Sequence, residues 1–226
     1  MLRNGVGIML KAIDIAKWFI YKNCDTPRNT FDGNMKLQKL LFFSQLIHLV
    51  RTENILFDDP ILAFENGSVV EDVRLTYKNN NYDLIKESKE ADYDFLEEEL
   101  QTLQITHDIF CDIKAKELSD LNHLFKSWKL AYDGSIVSGR PQKRYSEIQI
   151  DNLKKYDLDN IRQMLHAYEI TKNSTDPFEV INGVTFYYDV NTVTMTDELI
   201  EELSASKWDE DSYYVYKDKE LGLVFA

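Results

Sequence analysis

The sequence predicts a mainly α-helical α+β protein: a compact helical domain around one buried central helix, followed by a small β-rich C-terminal extension. Three observations carry this expectation. The run NMKLQKLLFFSQLIHLV at 34–50 is apolar nearly all round, and apolar residues recur at three- and four-residue spacing through most of the chain before Asn173. From about Asn173 the pattern changes to short β-branched and aromatic runs.

A helix over 34–50, with Asn34 as its cap, distributes Leu37, Leu40, Leu41, Phe42, Phe43, Leu46, Ile47, Leu49 and Val50 around its circumference and leaves only a narrow polar strip. Such a helix has to be buried. At 1.5 Å per residue it is about 24 Å long, and Lys36, Lys39, Gln45 and His48 interrupt it, so it reads as the core of a soluble domain and not as a membrane span.

The other elements follow in order. Ile8, Ala12, Ile15, Ala16, Phe19 and Ile20 set one apolar face of a first helix over 8–22, and the loop 23–33 carries Pro27 and Gly33. After the central helix, Leu56 and Phe57 tuck back onto the core. At Asn66-Gly67-Ser68 the chain turns, and Ser68 with Glu71 fits a capping box that opens a helix to Lys78. Further helices are expected over 84–89, 95–113, 117–128 and 158–171, with a loop over 133–141. The acidic run 97–99 reads as a solvated face. In the tail, FEVI and VTFYYD flank Asn182-Gly183, the strongest short hairpin signal. VTM after Asn191 reads as a third strand, Thr196 opens a short acidic helix, and 213–217 and 221–225 read as two more strands. The expected division is a helical domain over 1–172 and an extension over 173–226.

Charge narrows the partners. The 226 residues hold 26 Lys and Arg against 39 Asp and Glu, a formal net charge of −13. This field repels phosphate backbones, which argues against direct nucleic-acid binding, and favours a basic protein surface. Cys24 and Cys111 make no disulfide framework and sit in no CxxC pattern, which points to a reducing compartment. Lys11, Asp14 and Lys17 break the stretch where a signal peptide needs its apolar run, so the expected location is cytoplasmic.

Little in the sequence speaks for chemistry. His107 and Cys111 can share a helix face, but spacing suggests no third ligand and no metal site is assigned. His48 reads as a core histidine hydrogen-bonded within the helical domain. There is no GxSxG, HExxH or GxGxxG, and 8 glycines are few for a phosphate-cradling loop, so no catalytic residue and no cofactor is nominated. Arg140, Lys143 and Arg144 read as solvated or paired with acids. The tail has more aromatic residues than one sheet face needs. Tyr187, Tyr188, Trp208, Tyr213, Tyr214 and Tyr216 are therefore candidates for partner binding, with packing of the tail as the alternative.

Three stretches taken together resemble the Panacea, or SocA-like, domain of bacterial and phage proteins: KLQKLLFFSQLIHLV at 36–50, LF at 56–57, and AFENGSVVEDVRLTYK at 63–78. The family pattern is a KLQKLLYF-type helix, a downstream LF and an A-W-x-x-GPVV segment. AKWFI at 16–20 and ELSDLNHLFKSWKLAYDG at 117–134 extend the likeness, so that it covers about 8–171. The motif positions are Lys36, Leu37, Gln38, Lys39, Leu40, Leu41, Gly67, Val69 and Val70. The sequence departs from the pattern at Phe64, where Trp is usual, at Ser68, where Pro is usual, and at Asn122, where Thr is common. The resemblance implies a non-enzymatic antitoxin that binds a co-encoded protein toxin. One member type acts instead as an adaptor delivering its bound toxin to a Clp-type protease, and many members are found near phage genes. The alternatives for this chain are therefore a proteolysis adaptor or a phage-associated accessory protein, with an enzyme whose Gln45 and His48 line a pocket as the third.

Overall fold

The computed structural model describes residues 9–173, 177–218 and 222–225. Ile8 and Leu221, which entered the expectations above, lie outside them. The architecture is mainly helical α+β, and the chain divides into two compact units, Met1–Tyr168 and Glu169–Ala226.

The first unit is organised around α2 (Phe31–Thr52), in which every residue from 36 to 49 is buried. Its start lies one turn earlier than expected. Thr30, not Asn34, is the cap, its Oγ1 accepting from the Gly33 N–H at 3.0 Å. Asn34 instead donates to the Arg74 carbonyl and accepts from Gln38 Nε2. Around α2 pack α1 (Ala12–Tyr21), α3 (Glu71–Asn79), α5 (Glu97–Phe110) and α6 (Ala115–His123), with α4 (Asn81–Glu90) behind α1 and α3. Phe43 stacks on Phe110 at 4.2 Å between ring centroids, and Phe125 meets both Phe42 and Phe43 edge-on. Removing that much apolar surface from water is the main force holding these helices together.

The segment at 61–70 corrects the sequence reading. It is an antiparallel hairpin, β1 (Ile61–Phe64) with β2 (Gly67–Val70), turning at Glu65-Asn66 with Phe64 opposite Gly67. Ser68 lies inside β2 and is fully buried, so it cannot cap. The next helix, α3, begins at Glu71 without a side-chain cap, and its opening acids Glu71 and Asp72 face the positive end of the helix dipole. Short apolar runs such as ILAF and VV do not distinguish a buried strand from a helix by period, and here long-range pairing decides.

The helix expected over 117–128 is two, α6 and α7 (Lys126–Gly134), with a break at Leu124-Phe125. Phe125 cannot cap α7, and Asp157 does so from a distance, its carboxylate accepting from the Lys126 and Ser127 N–H groups at 2.9 and 3.1 Å. A small hairpin, β3 (Ile136–Val137) with β4 (Arg140–Pro141), and a 3-10 turn at Lys143–Tyr145 lead to α8 (Ile150–Tyr156) and α9 (Leu158–Asn173). Of the acidic run 97–99, Glu99 is buried and reaches back to the Leu96 N–H, bracing the start of α5. Cys24 and Cys111, expected to stand apart, form a disulfide that ties the turn after α1 to the end of α5.

The second unit carries a four-stranded sheet in sequential order, β5 (Phe178–Ile181), β6 (Val184–Tyr188), β7 (Ser212–Asp218) and β8 (Gly222–Phe225). The Asn182-Gly183 hairpin is present, both turn residues having positive φ. The β6–β7 pair is parallel, which requires a crossover, and α10 (Asp197–Ala205), capped by Thr196, supplies it. No strand forms at 193–195. Val193 and Met195 instead pack with Ile181, Phe186, Leu203 and Val215 in a separate small core.

Candidate functional site

The motif residues of α2 converge on the β1–β2 hairpin. Gln38 Oε1 accepts from the Val70 N–H at 2.9 Å, and Lys39 Nζ donates to the Ser68 carbonyl at 3.0 Å. Side chains of α6 and α7 complete the grip. Asn122 Oδ1 accepts from the Ser68 N–H at 2.5 Å and Ser119 Oγ donates to the Asn66 carbonyl at 3.0 Å. His123 Nε2 donates to the Glu65 carbonyl, also at 3.0 Å, and Trp128 Nε1 to the Phe64 carbonyl at 3.1 Å. Side chains from three helices thus satisfy backbone groups that the two-stranded hairpin leaves unpaired, as the buried strand β2 requires.

Gly67 sits at the centre of this clamp. Its φ is +98°, and a Cβ there would lie 2.2 Å from Asn122 Oδ1 and 2.7 Å from Lys39 Nζ. Only glycine fits both the conformation and the space. The residues at the two departures, Ser68 and Asn122, are in direct contact. A proline at 68 offers no N–H, whereas Ser68 does, and Asn122 is the acceptor it needs.

The remaining motif positions divide by role. Leu37, Leu40 and Leu41 are core, Lys36 Nζ donates to the Cys111 carbonyl at 2.5 Å, Val69 lines the cleft described next, and Val70 presents its N–H to Gln38. Gln45 and His48, the polar residues further along α2, do not line that cleft. Gln45 is bound to the backbone of Leu56 and Phe57, and His48 Nδ1 to Thr102 Oγ1 at 3.0 Å.

Above the clamp opens a cleft of about 750 Å3, walled by Phe31, Met35, Phe64 and Val69. Lys39 lines it while only 1 % exposed, and among the described residues it makes no ion pair. Burial pushes its ammonium down to about 7. Arg74, Lys78 and Lys143 add three more cations against the single acid Glu65. Glu71 ties two of the cations, at 2.6 Å to Arg74 and 3.0 Å to Lys143. Its carboxyl is thereby held below the usual range, chiefly by the Arg74 hydrogen bond. Lys143 is therefore the member of the basic cluster that finds an acid. In a strongly acidic chain this cleft is a local positive site, suited to an anionic group with an apolar body. Beside it, Tyr77 donates to the fully buried Asp25, which Arg28 also grips at 2.9 to 3.2 Å, and burial pushes the Tyr77 phenol up to about 12.

The segment carrying the clamp matches the family model described as Antitoxin SocA-like, Panacea domain, over residues 37–129. Residues 37–129 are similar to a Panacea domain. The matched segment contains every residue of the clamp, Gln38, Lys39, Gly67, Ser119, Asn122, His123 and Trp128 among them, and its likeness is to an antitoxin-type family. No curated protein and no solved structure matches the chain. Among the described residues no helix of the chain is long and apolar enough to cross a membrane.

The six aromatic candidates of the tail lie outside the matched segment and on two faces of the tail sheet. Tyr188, Trp208 and Tyr213 pack into the small core, where Trp208 meets Phe186, Tyr213 and Phe225. Tyr187, Tyr214 and Tyr216 alternate to the other face, Tyr187 beside Phe178. All six are half-buried, whereas Phe178 and Val180 are exposed. Sequence reasoning nominated none of Ser119, Asn122, His123 and Trp128 as site residues. Their only advance signal was membership of the later family-like stretch.

Proposed function

We propose that this chain is an antitoxin that neutralises a co-encoded protein toxin by direct, stoichiometric binding, without turnover. The observation that carries the reading is the likeness of 37–129 to the Panacea domain. Most of the motif side chains fill the core or hold one hairpin, which leaves recognition to surfaces the motif does not set. The sheet face bearing Tyr187, Tyr214 and Tyr216 next to exposed Phe178 is the preferred one, since aromatic anchors dominate many interfaces. The net charge of −13 suits a basic toxin surface. Nanomolar binding needs about 12 kcal/mol net, within the range of a few such anchors in an interface of ordinary size.

Growth rescue tests the proposal. Each neighbouring open reading frame is expressed under tight induction with and without this chain, and colony formation is scored. Rescue from one toxic product supports the antitoxin reading, and co-purification in fixed ratio supports binding. A toxic neighbour that stays toxic with this chain well expressed, or the absence of any toxic neighbour, overturns it. A Tyr187→Ala, Tyr216→Ala double variant is expected to lose rescue while remaining folded.

A further inference from the structure

Three chelating side chains from distant parts of the sequence meet inside the helical unit. Cys24 follows α1, while His107 and Cys111 stand one turn apart at the end of α5. One ligand atom from each lies within 4.8 Å of the other two. Both cysteines are buried and His107 is half-buried. The two sulfurs are joined to each other, and a disulfide sulfur is a poor metal ligand, whereas thiolates are among the strongest. Reduction therefore converts a cross-link into a donor set of two sulfurs and one imidazole nitrogen.

The surroundings favour this conversion. The Lys36 side chain donates to the Cys111 carbonyl at 2.5 Å and pins the end of α5. Asp108 Oδ1 lies 3.2 Å from His107 Nδ1 and fixes the ring, as carboxylates do behind metal-bound histidines. Asp25, next to Cys24 in sequence, is held by Arg28 and Tyr77 and stays out of the set.

We propose that the reduced protein binds one zinc-type divalent ion through Cys24, Cys111 and His107, with a water completing the fourth position. The same cysteines then serve as a cross-link under oxidising conditions and as a metal site under reducing ones. The balance is simple. A dithiol reductant supplies two electrons and two protons, becoming a disulfide itself. The Cys24–Cys111 bond breaks to give two thiols, and Zn2+ then displaces both thiol protons as two Zn–S bonds and one Zn–N bond form. Two thiolates and a histidine with an open position are an established zinc donor set, and thiolate with imidazole selects zinc over calcium or magnesium.

The test uses the full chain, reduced with a phosphine, freed of metal and titrated with Co2+ without oxygen. One equivalent is expected to bind, with thiolate-to-cobalt charge-transfer absorption and the visible bands of four-coordinate cobalt, all abolished by Zn2+. The oxidised protein is expected to show neither. Cys24→Ser and Cys111→Ser are expected to lose the charge-transfer band, and His107→Gln to weaken binding about tenfold or more. Should a serine variant fail to fold, alkylation of the reduced wild-type protein decides: Zn2+ protecting two thiols supports the site, and no protection overturns it. Absence of charge transfer in the reduced wild type overturns it as well, as does unchanged affinity in His107→Gln.

Discussion

At the scale of single residues, Ser68 and Asn122 are the most telling pair, because each makes sense only with the other. Asn122→Thr leaves the buried Ser68 N–H without its acceptor and is expected to cost about 1–3 kcal/mol in urea denaturation. Ser68→Pro in that background removes the orphaned donor, and the double variant is expected to recover most of the loss. Simple addition of the two single effects would show that the residues are not coupled. Lys39 makes a second prediction. Burial favours its neutral form, so between about 7 and the ordinary lysine range the unfolded chain holds a proton that the folded chain has given up. Stability therefore rises with pH through that window, by up to about 1.4 kcal/mol per pH unit from this group. Lys39→Met is expected to flatten the rise, and equal slopes in both proteins would refute the assignment. Neither result was legible beforehand. The spacing of 34–50 showed that Lys39 sits on a buried helix, but its partner, a carbonyl 29 positions away, depends on where the hairpin folds back.

Elements show the same boundary between local and distant information. α1, α2 and α9 were readable because burial of one face, or of all faces, leaves a period in the sequence, and the tail hairpin was readable because Asn182-Gly183 needs two positive φ values. The β1–β2 hairpin was misread because Ser68 and Glu71 happen to have capping-box spacing. The parallel β6–β7 pair was invisible, since its register is set by an intervening helix and not by a turn. Gly67→Ala should pull the hairpin out of its clamp, costing about 2–4 kcal/mol from backbone strain and overlap with Asn122 and Lys39. A change below about 0.5 kcal/mol would mean that the turn is looser than the structure indicates. For α7, Asp157→Ala removes both distant cap hydrogen bonds and is expected to cost about 1–3 kcal/mol, read as a lower Tm.

For the molecule as a whole, the Cys24–Cys111 bond matters most, since it closes a separation of 87 residues. Chain entropy assigns such a cross-link about 4.6 kcal/mol, so reduction should lower the stability of the Met1–Tyr168 unit by that order. The core of the second unit contains no cysteine and is expected to keep its stability. Calorimetry with and without reductant checks both statements. Cysteine count alone was misleading, because what counts is which turn lies beside the end of α5.

The way the first hairpin is enclosed also limits how a partner can dock. Along the outer side of β1, the Ala63 N–H donates to the Ser146 carbonyl at 2.6 Å and the Ile61 carbonyl accepts from Ile148 at 2.8 Å, while β2 is engaged by Gln38, Lys39 and Asn122. Neither flank offers a template for strand addition, so a partner strand cannot extend this sheet. Strand addition is thereby left to other edges, those of the exposed β3–β4 hairpin and the outer strands β5 and β8 of the tail sheet.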